Sequence, residues 1–306
     1  MAKFDISLAF DKAEYLNPQI YLFFNSIKYK LPEDTTIHIV TNRNFDKDPI
    51  IEFIKDTIPG GNLHFYYQDP FKDLKSRCQY MFHSFEVSPR KEWIIKMELD
   101  TIALKNLSIF EELTTKDYDI YITPESRKMI SDDNLESRIW KMIYKNLGID
   151  CPKETISYIE GNSIGLPLYD TSTIMVRKKW INYINQNWVP MTRICEKWIN
   201  MNIHPNEFAF TALIHKSGMK CNLLDKKKYD FNPISHFREG QFPNQKLINN
   251  PIVPKEVILL QYHRPWWLKQ LCDSNLNIKE IVDKSLPKIG DKWLDSSVDT
   301  TQFQEK

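Results

Sequence analysis

Short apolar runs alternate along the chain with longer stretches whose apolar residues recur every three or four positions. Residues 4–10 (FDISLAF), 36–41 (TIHIVT) and 63–67 (LHFYY) are compact and rich in β-branched and aromatic side chains, which predicts strands. Between the first two, Ile20, Phe23, Phe24 and Ile27 fall at helical spacing after Pro18, so residues 18–29 read as a helix entered at a proline. Residues 49–58 read as a second helix, stopped by Pro59, Gly60 and Gly61, and 71–86 as a third. The run Trp93, Ile94, Ile95 opens a fourth strand over 93–99. Alternating strands and helices predict an α/β fold with a mostly parallel sheet flanked by helices. Ligands of such sheets gather at the carboxyl ends of the strands.

Beyond residue 104 the pattern predicts a strand at 120–123, a helix at 135–147, a loop at 158–170 and a strand at 172–176. A helical stretch at 180–198 is expected to break near Pro190. A helix starts at Asn206 and runs to His215, with Gly218 near its end. Short strands follow at 221–224 and 257–260, separated by a proline-rich, irregular segment over 232–254. The pattern gives one domain over residues 1–272 and a polar tail over 273–306, with one or two short helical pieces and disorder expected beyond Asp295.

Composition narrows the function classes. The 306 residues are 42% hydrophobic, enough for one large domain or two small ones. Lys+Arg is 41 against Asp+Glu 40, so no basic excess argues for nucleic acid. Cys78, Cys151, Cys195, Cys221 and Cys272 are scattered without CxxC pairs and read as the reduced thiols of a cytosolic protein. The N-terminus lacks the apolar core of a signal peptide, and no apolar run approaches the ~20 residues needed to span a bilayer. The chain has 8 glycines and neither glycine-rich phosphate cradle, so phosphate recognition must rest on a metal and side chains.

The chemistry concentrates at WIIKMELD (93–100). Glu98 and Asp100 are one residue apart, and in a strand such residues point to the same side. Two same-facing carboxylates at a strand end suit a divalent cation, although a solvated acidic turn has the same composition. Lys96 shares their face and can balance their charge or touch phosphate. Far downstream, His263 follows the last strand, with Arg264, Pro265, Trp266 and Trp267 fixing the turn. Two carboxylates and an imidazole suit Mn2+ or Mg2+, manganese accepting nitrogen more readily. An incomplete shell of this kind leaves positions for a diphosphate.

This order of parts resembles the GT-A glycosyltransferases, in which a DxD-type motif ends a strand of a nucleotide-binding half and a late histidine reaches the metal. Here MELD (97–100) stands for DxD, with Glu98 replacing the first aspartate. The glycogenin-like, retaining branch is similar at four further places: STIMV (172–176), NEFAFTALI (206–214), KKYDFN (227–232) and YHRPWW (262–267). The Asn-Ser-Gly and the late glycine and lysine of that branch are missing, with Arg264 in reach of the lysine's role. The resemblance covers residues 4–268. It implies a nucleotide-binding half (1–104), an acceptor half (105–272), and a nucleotide-sugar donor. It also implies that the loop after the first strand, with Phe10, Asp11 and Tyr15, clasps the base, and that Arg77 aims at the donor. Asn206 and Glu207 would begin a helix facing the acceptor half, with Glu207 holding the donor sugar or serving as a base, although a helix start tolerates an acid for dipole reasons alone. His236 and Arg238 are candidates for the acceptor side.

The function these features imply is metal-dependent transfer of a hexose from a UDP-sugar to a hydroxyl on a glycan, a lipid-linked sugar, a protein or a modified nucleobase. Glu98, Asp100 and His263 would hold the metal, and Lys96 or Arg264 would add charge. An inverting course requires a carboxylate base, Glu207 or Asp170; a retaining course can let the leaving phosphate take the proton. The expected location is cytoplasmic, free or peripheral at a membrane. A nucleotidyltransferase and a non-catalytic nucleotide-sugar-binding module are the alternatives.

Overall fold

The computed structural model describes residues 2–58, 62–71, 74, 79–126, 133–158, 163–199, 204–239, 246–247 and 251–295. Strand β1 (Phe4–Ala9) leads through a 3-10 turn into α1 (Asn17–Ile27), which carries Pro18 in its first turn. Then come β2 (Ile37–Thr41), α2 (Pro49–Thr57), β3 (Leu63–Tyr67), β4 (Trp93–Lys96), β5 (Thr101–Ala103), β6 (Ile120–Pro124) and α3 (Asp133–Leu147). A small antiparallel pair, β7 (Ile156–Ser157) and β8 (Ile164–Gly165), precedes β9 (Tyr169–Arg177), α4 (Ile181–Cys195), α5 (Pro205–Ser217) and β10 (Cys221–Leu223). The chain continues through α6 (Lys226–Tyr229), α7 (Pro233–Phe237), the pair β11 (Arg238–Glu239) and β12 (Lys246–Leu247), and β13 (Leu259–Gln261). It closes with α8 (Pro265–Cys272), α9 (Leu276–Ile289) and α10 (Asp291–Leu294).

The central sheet has seven strands in the order β10-β6-β9-β4-β1-β2-β3. Neighbours pair parallel except where β9 runs antiparallel between β4 and β6. Both faces are covered, and alternation along β4 shows how. Trp93 and Ile95 join the cluster with Phe23 and Phe24 of α1, while Ile94 joins the opposite cluster with Trp140, Trp188 and Phe208 from the later helices. Each strand residue therefore buries on one side or the other, as expected of a sheet sandwiched by helices. Among the described residues no helix is long and apolar enough to cross a membrane.

Four elements depart from the pattern expected of them. Residues 79–85 are 3-10, not α-helical: Phe82 and Phe85, three apart, both pack on Trp188, a spacing that suits three residues per turn. Residues 72–73 and 75–78, with Arg77 and Cys78, lie outside the described residues, as do 159–162 of the expected loop and everything beyond Asp295. Helix α4 runs through Pro190 without breaking. Pro190 and Gln186, whose carbonyl loses its donor there, are both exposed, so water can satisfy that carbonyl. The polar stretch after Asp273 holds a fourteen-residue helix, α9, with Ile278, Ile281, Val282 and Ser285 buried at helical spacing. That stripe lies against α1, where Asn25 Nδ2 donates to Ser285 Oγ (2.8 Å). Finally, β4 ends at Lys96 and not at residue 99, for reasons that belong to the site.

One buried polar centre anchors the sheet. The Asp5 carboxylate accepts from the backbone N–H of Arg90 (2.7 Å), Lys91 (3.1 Å) and Thr36 (3.3 Å) and meets His38 Nε2 at 3.3 Å. Burial pushes its pKa up, but His38 and the two backbone donors outweigh that, and the net shift is downward. A depressed carboxylate stabilises the fold above its unfolded-state pKa and loses that contribution as pH falls through its folded-state value. Asp5→Asn is expected to cost about 2 kcal/mol at neutral pH. It should also flatten the acid limb below pH ~4 in urea-unfolding free energies, since the substituted residue no longer titrates. Parallel acid limbs for the two proteins would refute this role.

Candidate active site

The site forms where β4 leaves the main sheet. Met97 N still donates to Ser7 O (3.0 Å), but the chain then turns, with Thr101 N donating to Glu98 O (3.3 Å), and β5 pairs antiparallel with β13. Glu98 and Asp100 therefore flank a turn; they do not share one face of a strand, as alternation predicts. They meet different partners. Glu98 Oε1 accepts from Lys96 Nζ at 2.7 Å, and its Oε2 lies 3.5 Å from Gln261 Nε2. Asp100 Oδ2 is 3.2 Å from His263 Nδ1.

The β5–β13 ladder is what joins Asp100 to His263. Gln261 pairs with Thr101, and Tyr262 N donates to Asp100 O (3.0 Å), so the residue after Tyr262 emerges beside the Asp100 side chain. His263 adopts φ 48°, a left-handed conformation that costs energy in a residue other than glycine and that clusters at functional sites. Its Nε2 lies 2.7 Å from Asn232 Nδ2, which fixes the ring plane from the other side. Burial lowers the His263 pKa, but the charges of Asp100, Asp170 and Asp230 raise it by more.

Behind this pair lies a second acidic group. Lys226 Nζ is buried between Asp170 Oδ2 and Asp230 Oδ2, the latter at 2.9 Å. Ser172 N donates to Asp170 Oδ1 (2.8 Å), and Ser172 Oγ (2.9 Å) and Thr123 Oγ1 (3.2 Å) donate to Asp230 Oδ2. Burial raises the Asp170 pKa, yet Lys226 and Ser172 hold it far below the usual carboxylate range. Asp230 is pushed up to about 6 by burial and by Asp170, with Lys226 pulling the other way. Asp230 Oδ1 has no hydrogen-bond partner among the described residues.

Asn206 and Glu207 enter from the first turn of α5, and both are buried. Asn206 Nδ2 reaches Thr171 Oγ1 (3.3 Å), while Lys96 Nζ donates to Thr171 O, so α5, β9 and β4 meet at Thr171. Glu207 Oε1 lies 3.9 Å from His204 Nδ1, and its Oε2 has no hydrogen-bond partner among the described residues. Burial first, then the negative charges of Glu125, Asp170 and Glu98, push its pKa well above the usual range, with Lys226 offsetting only part. Glu207 is thus a carboxyl group that keeps its proton readily.

Phe10 is buried, Asp11 Oδ1 accepts from Ala13 N (2.8 Å), and Tyr15 is 41% exposed, all on the loop after β1. Arg264 occupies the position just before α8, and its guanidinium lies 5.0 Å from the Trp267 ring centre. His236 stacks on Phe231 (4.5 Å between ring centres), and Arg238 lies in β11. The described cysteines, Cys151, Cys195, Cys221 and Cys272, are free thiols. Lys226 and Gln261 lie outside the motifs quoted from the sequence, while Asp230 and Asn232 lie within KKYDFN without a role having been assigned to either. The four-residue spacing of Lys226 and Asp230 was the available signal, since it pairs them across one helical turn.

Among the described residues no group of three His, Cys, Asp or Glu side chains converges closely enough to hold a metal ion. The pair Asp100 and His263 does supply an oxygen and a nitrogen donor side by side, a set that accepts Mn2+ or Mg2+ with positions left open. Glu98 is bound to Lys96 and does not complete the set in this conformation.

No protein-family model and no curated protein matches the chain. Solved structures do. The chain is similar to the galactosyltransferase LgtC in complex with donor and acceptor sugar analogues, with TM-score 0.58 and 13% identity over 94% of this chain and 98% of that one. An active-site mutant of LgtC gives TM-score 0.62 at 12% identity with the same coverage. The glycosyltransferase GlyE of Streptococcus pneumoniae gives TM-score 0.53 at 14% identity over 94% of this chain and 64% of that one. At these identities the likeness establishes the fold, which is GT-A-like, and it does not single out the glycogenin-like branch.

Proposed function

We propose that this chain is a glycosyltransferase that moves a hexose from a UDP-sugar to a hydroxyl acceptor with the help of Mn2+ or Mg2+. The observation that carries the proposal is the meeting of Asp100 and His263, from distant parts of the chain, at the carboxyl edge of a GT-A-like sheet. A divalent cation held there would supply positive charge against a departing diphosphate. Asp100 and His263 would hold it directly, and Glu98 would join them if its bond to Lys96 opened. Lys96 and Arg264 supply positive charge toward the phosphates, Arg264 from the N-terminus of α8, where backbone N–H groups also favour an anion. Phe10, Asp11 and Tyr15 shape the nucleotide site, and Arg77 is assigned to the donor by resemblance alone.

Asn206 and Glu207 face the transferred sugar. Of the two candidate bases, Asp170 is tied to Lys226 and holds its proton weakly, which makes it a poor base. Glu207 holds its proton tightly and is the stronger base once ionised. Retention is the favoured course, the leaving phosphate then taking the acceptor proton. The acceptor is a soluble or peripheral glycan, lipid-linked sugar, protein or modified nucleobase, and the enzyme works in the cytoplasm.

Thermal-shift measurements with nucleotide sugars, with and without Mn2+, test this. A UDP-sugar with Mn2+ at about 100 times its Kd is expected to raise Tm by roughly 5 °C. Slow release of free sugar should follow. Binding without any hydrolysis would favour a binding module, and preference for a nucleoside triphosphate would favour nucleotidyl transfer. Failure of every nucleotide to shift Tm would refute the proposal.

A further inference from the structure

Arg43 stands just beyond β2, at the same edge of the sheet as Glu98 and Asp100, and its side chain is only 3% exposed. A guanidinium carries five N–H donors in a rigid planar fork. Here the fork spans one loop. Nε donates to Asp11 O (3.2 Å), and Nη2 donates to Ala13 O (3.2 Å) and to Asn17 Oδ1 (2.7 Å). Nη1 donates to both Asp48 oxygens, at 3.3 and 3.1 Å. The Arg43 cation also lies 6.0 Å from the Phe10 ring centre. Asp48 is itself fixed, since its Oδ1 caps α2 by accepting from Ile50 N (2.8 Å). A second tie runs the same way: Lys12 N donates to Asn42 Oδ1 (2.8 Å).

The loop from Phe10 to Asn17 is therefore held from the β2–α2 connection at both ends and in the middle. Three of these four hydrogen bonds are on backbone groups, the carbonyls of Asp11 and Ala13 and the N–H of Lys12, so they fix the path of the chain whatever its side chains do. The same loop carries Phe10, Asp11 and Tyr15, the residues assigned above to the nucleotide.

We infer that Arg43 is a positioning residue for the nucleotide: it keeps the 10–17 loop in its binding shape before the ligand arrives and touches no part of the ligand. The inference rests on the donor-site reading of this loop. A loop already ordered binds without the cost of ordering, so Arg43 sets affinity and not the rate of the chemical step. Lysine cannot replace it, because a single ammonium on a flexible stem does not reproduce a planar fork with donors on three sides.

Arg43→Lys and Arg43→Met test this in the full chain. UDP binding by titration calorimetry is expected to weaken about ten- to a hundredfold. The donor KM should rise by the same factor, with kcat at saturating donor changing by less than about twofold. Amide hydrogen exchange over residues 11–17 of the ligand-free protein should quicken relative to the rest of β1 and β2. A merely structural arginine would lower Tm and leave the UDP Kd of the folded protein and the relative exchange of the loop unchanged, which overturns the inference. If Arg43→Met does not fold, Arg43→Lys, which keeps the charge, decides. Wild-type protein that binds no nucleoside diphosphate overturns the donor-site reading itself, and is told apart because it needs no variant to show it.

Discussion

Asp100→Ala is expected to remove metal-dependent cleavage of the donor, lowering kcat/KM about a thousandfold, or roughly 4 kcal/mol of transition-state stabilisation. Asp100 is 6% exposed, and its carboxylate shares one point with His263. Removing it leaves one nitrogen donor, too little to keep a divalent cation against water. The fold should survive, because the backbone carbonyl of Asp100, which accepts from Tyr262 N, is kept by alanine. The substitution should therefore abolish the Mn2+-dependent part of the Tm shift while the metal-free Tm stays close to that of the wild type. Donor cleavage is followed by UDP release. A fully active, metal-independent Asp100→Ala enzyme would sink the mechanism.

Lys226→Met should have the largest effect on stability, a loss of roughly 3–5 kcal/mol, because it strands two carboxylates in the interior with their countercharge gone. Asp230 is fully buried and Asp170 nearly so. The pH dependence has a definite sign. In the wild type the depressed Asp170 stabilises the fold above the ordinary carboxylate pKa, and that contribution is lost as pH falls through its lower folded value. Asp230, raised to about 6, acts oppositely: it favours the fold when protonated, and its contribution is lost as pH rises from the ordinary carboxylate value to about 6. Lys226, raised above its usual value, contributes throughout the neutral range and loses its hold only as pH rises through its folded value in strong alkali. Without Lys226 both acids behave as Asp230 does. The deficit should be largest near pH 7 and shrink toward pH 5 in urea-unfolding measurements. Adding Asp170→Asn should recover much of the loss, since one buried charge is removed. A Lys226→Met protein within about 1 kcal/mol of wild type at pH 7 would refute this account.

How much of this was legible in the sequence depended on the kind of signal. The strands were read from compact apolar runs, and β1, β2, β3 and β9 lie where those runs are; burial on both faces imposes the runs of β1, β2 and β9, while β3, at the sheet edge, is only half-buried. Helix α9 was read only as short pieces, since its single stripe of Ile278, Ile281, Val282 and Ser285 is diluted by lysines and acids that face water. The fate of Glu98 and Asp100 was half legible. Their position at a strand's end follows from local pattern. Their separation onto a turn follows from the pairing of β5 with β13, which no local window contains. Lys226 was passed over because KKKYD has the composition of a solvated turn; only the fold brings Asp170 to it from β9. Arg43 gave no sequence signal either, since two of its partners are backbone carbonyls, which carry no signature, and Asn17 reaches it only through the fold.

The β5–β13 ladder also has a consequence in time. Glu98 and Gln261, which meet across it, are 163 positions apart, and Asn25 and Ser285, which fasten α1 to α9, are 260 apart. A ribosome that has delivered the first strands and the MELD turn has delivered no partner for Asp100. Long-range closures of this kind form late, after the local helices and the early parallel strands have gathered. The nascent chain thus remains without the pairing of Asp100 and His263 until nearly all of it has been synthesised. Under the proposed function, a prematurely terminated product that stops short of β13 is expected to be inert toward nucleotide sugars.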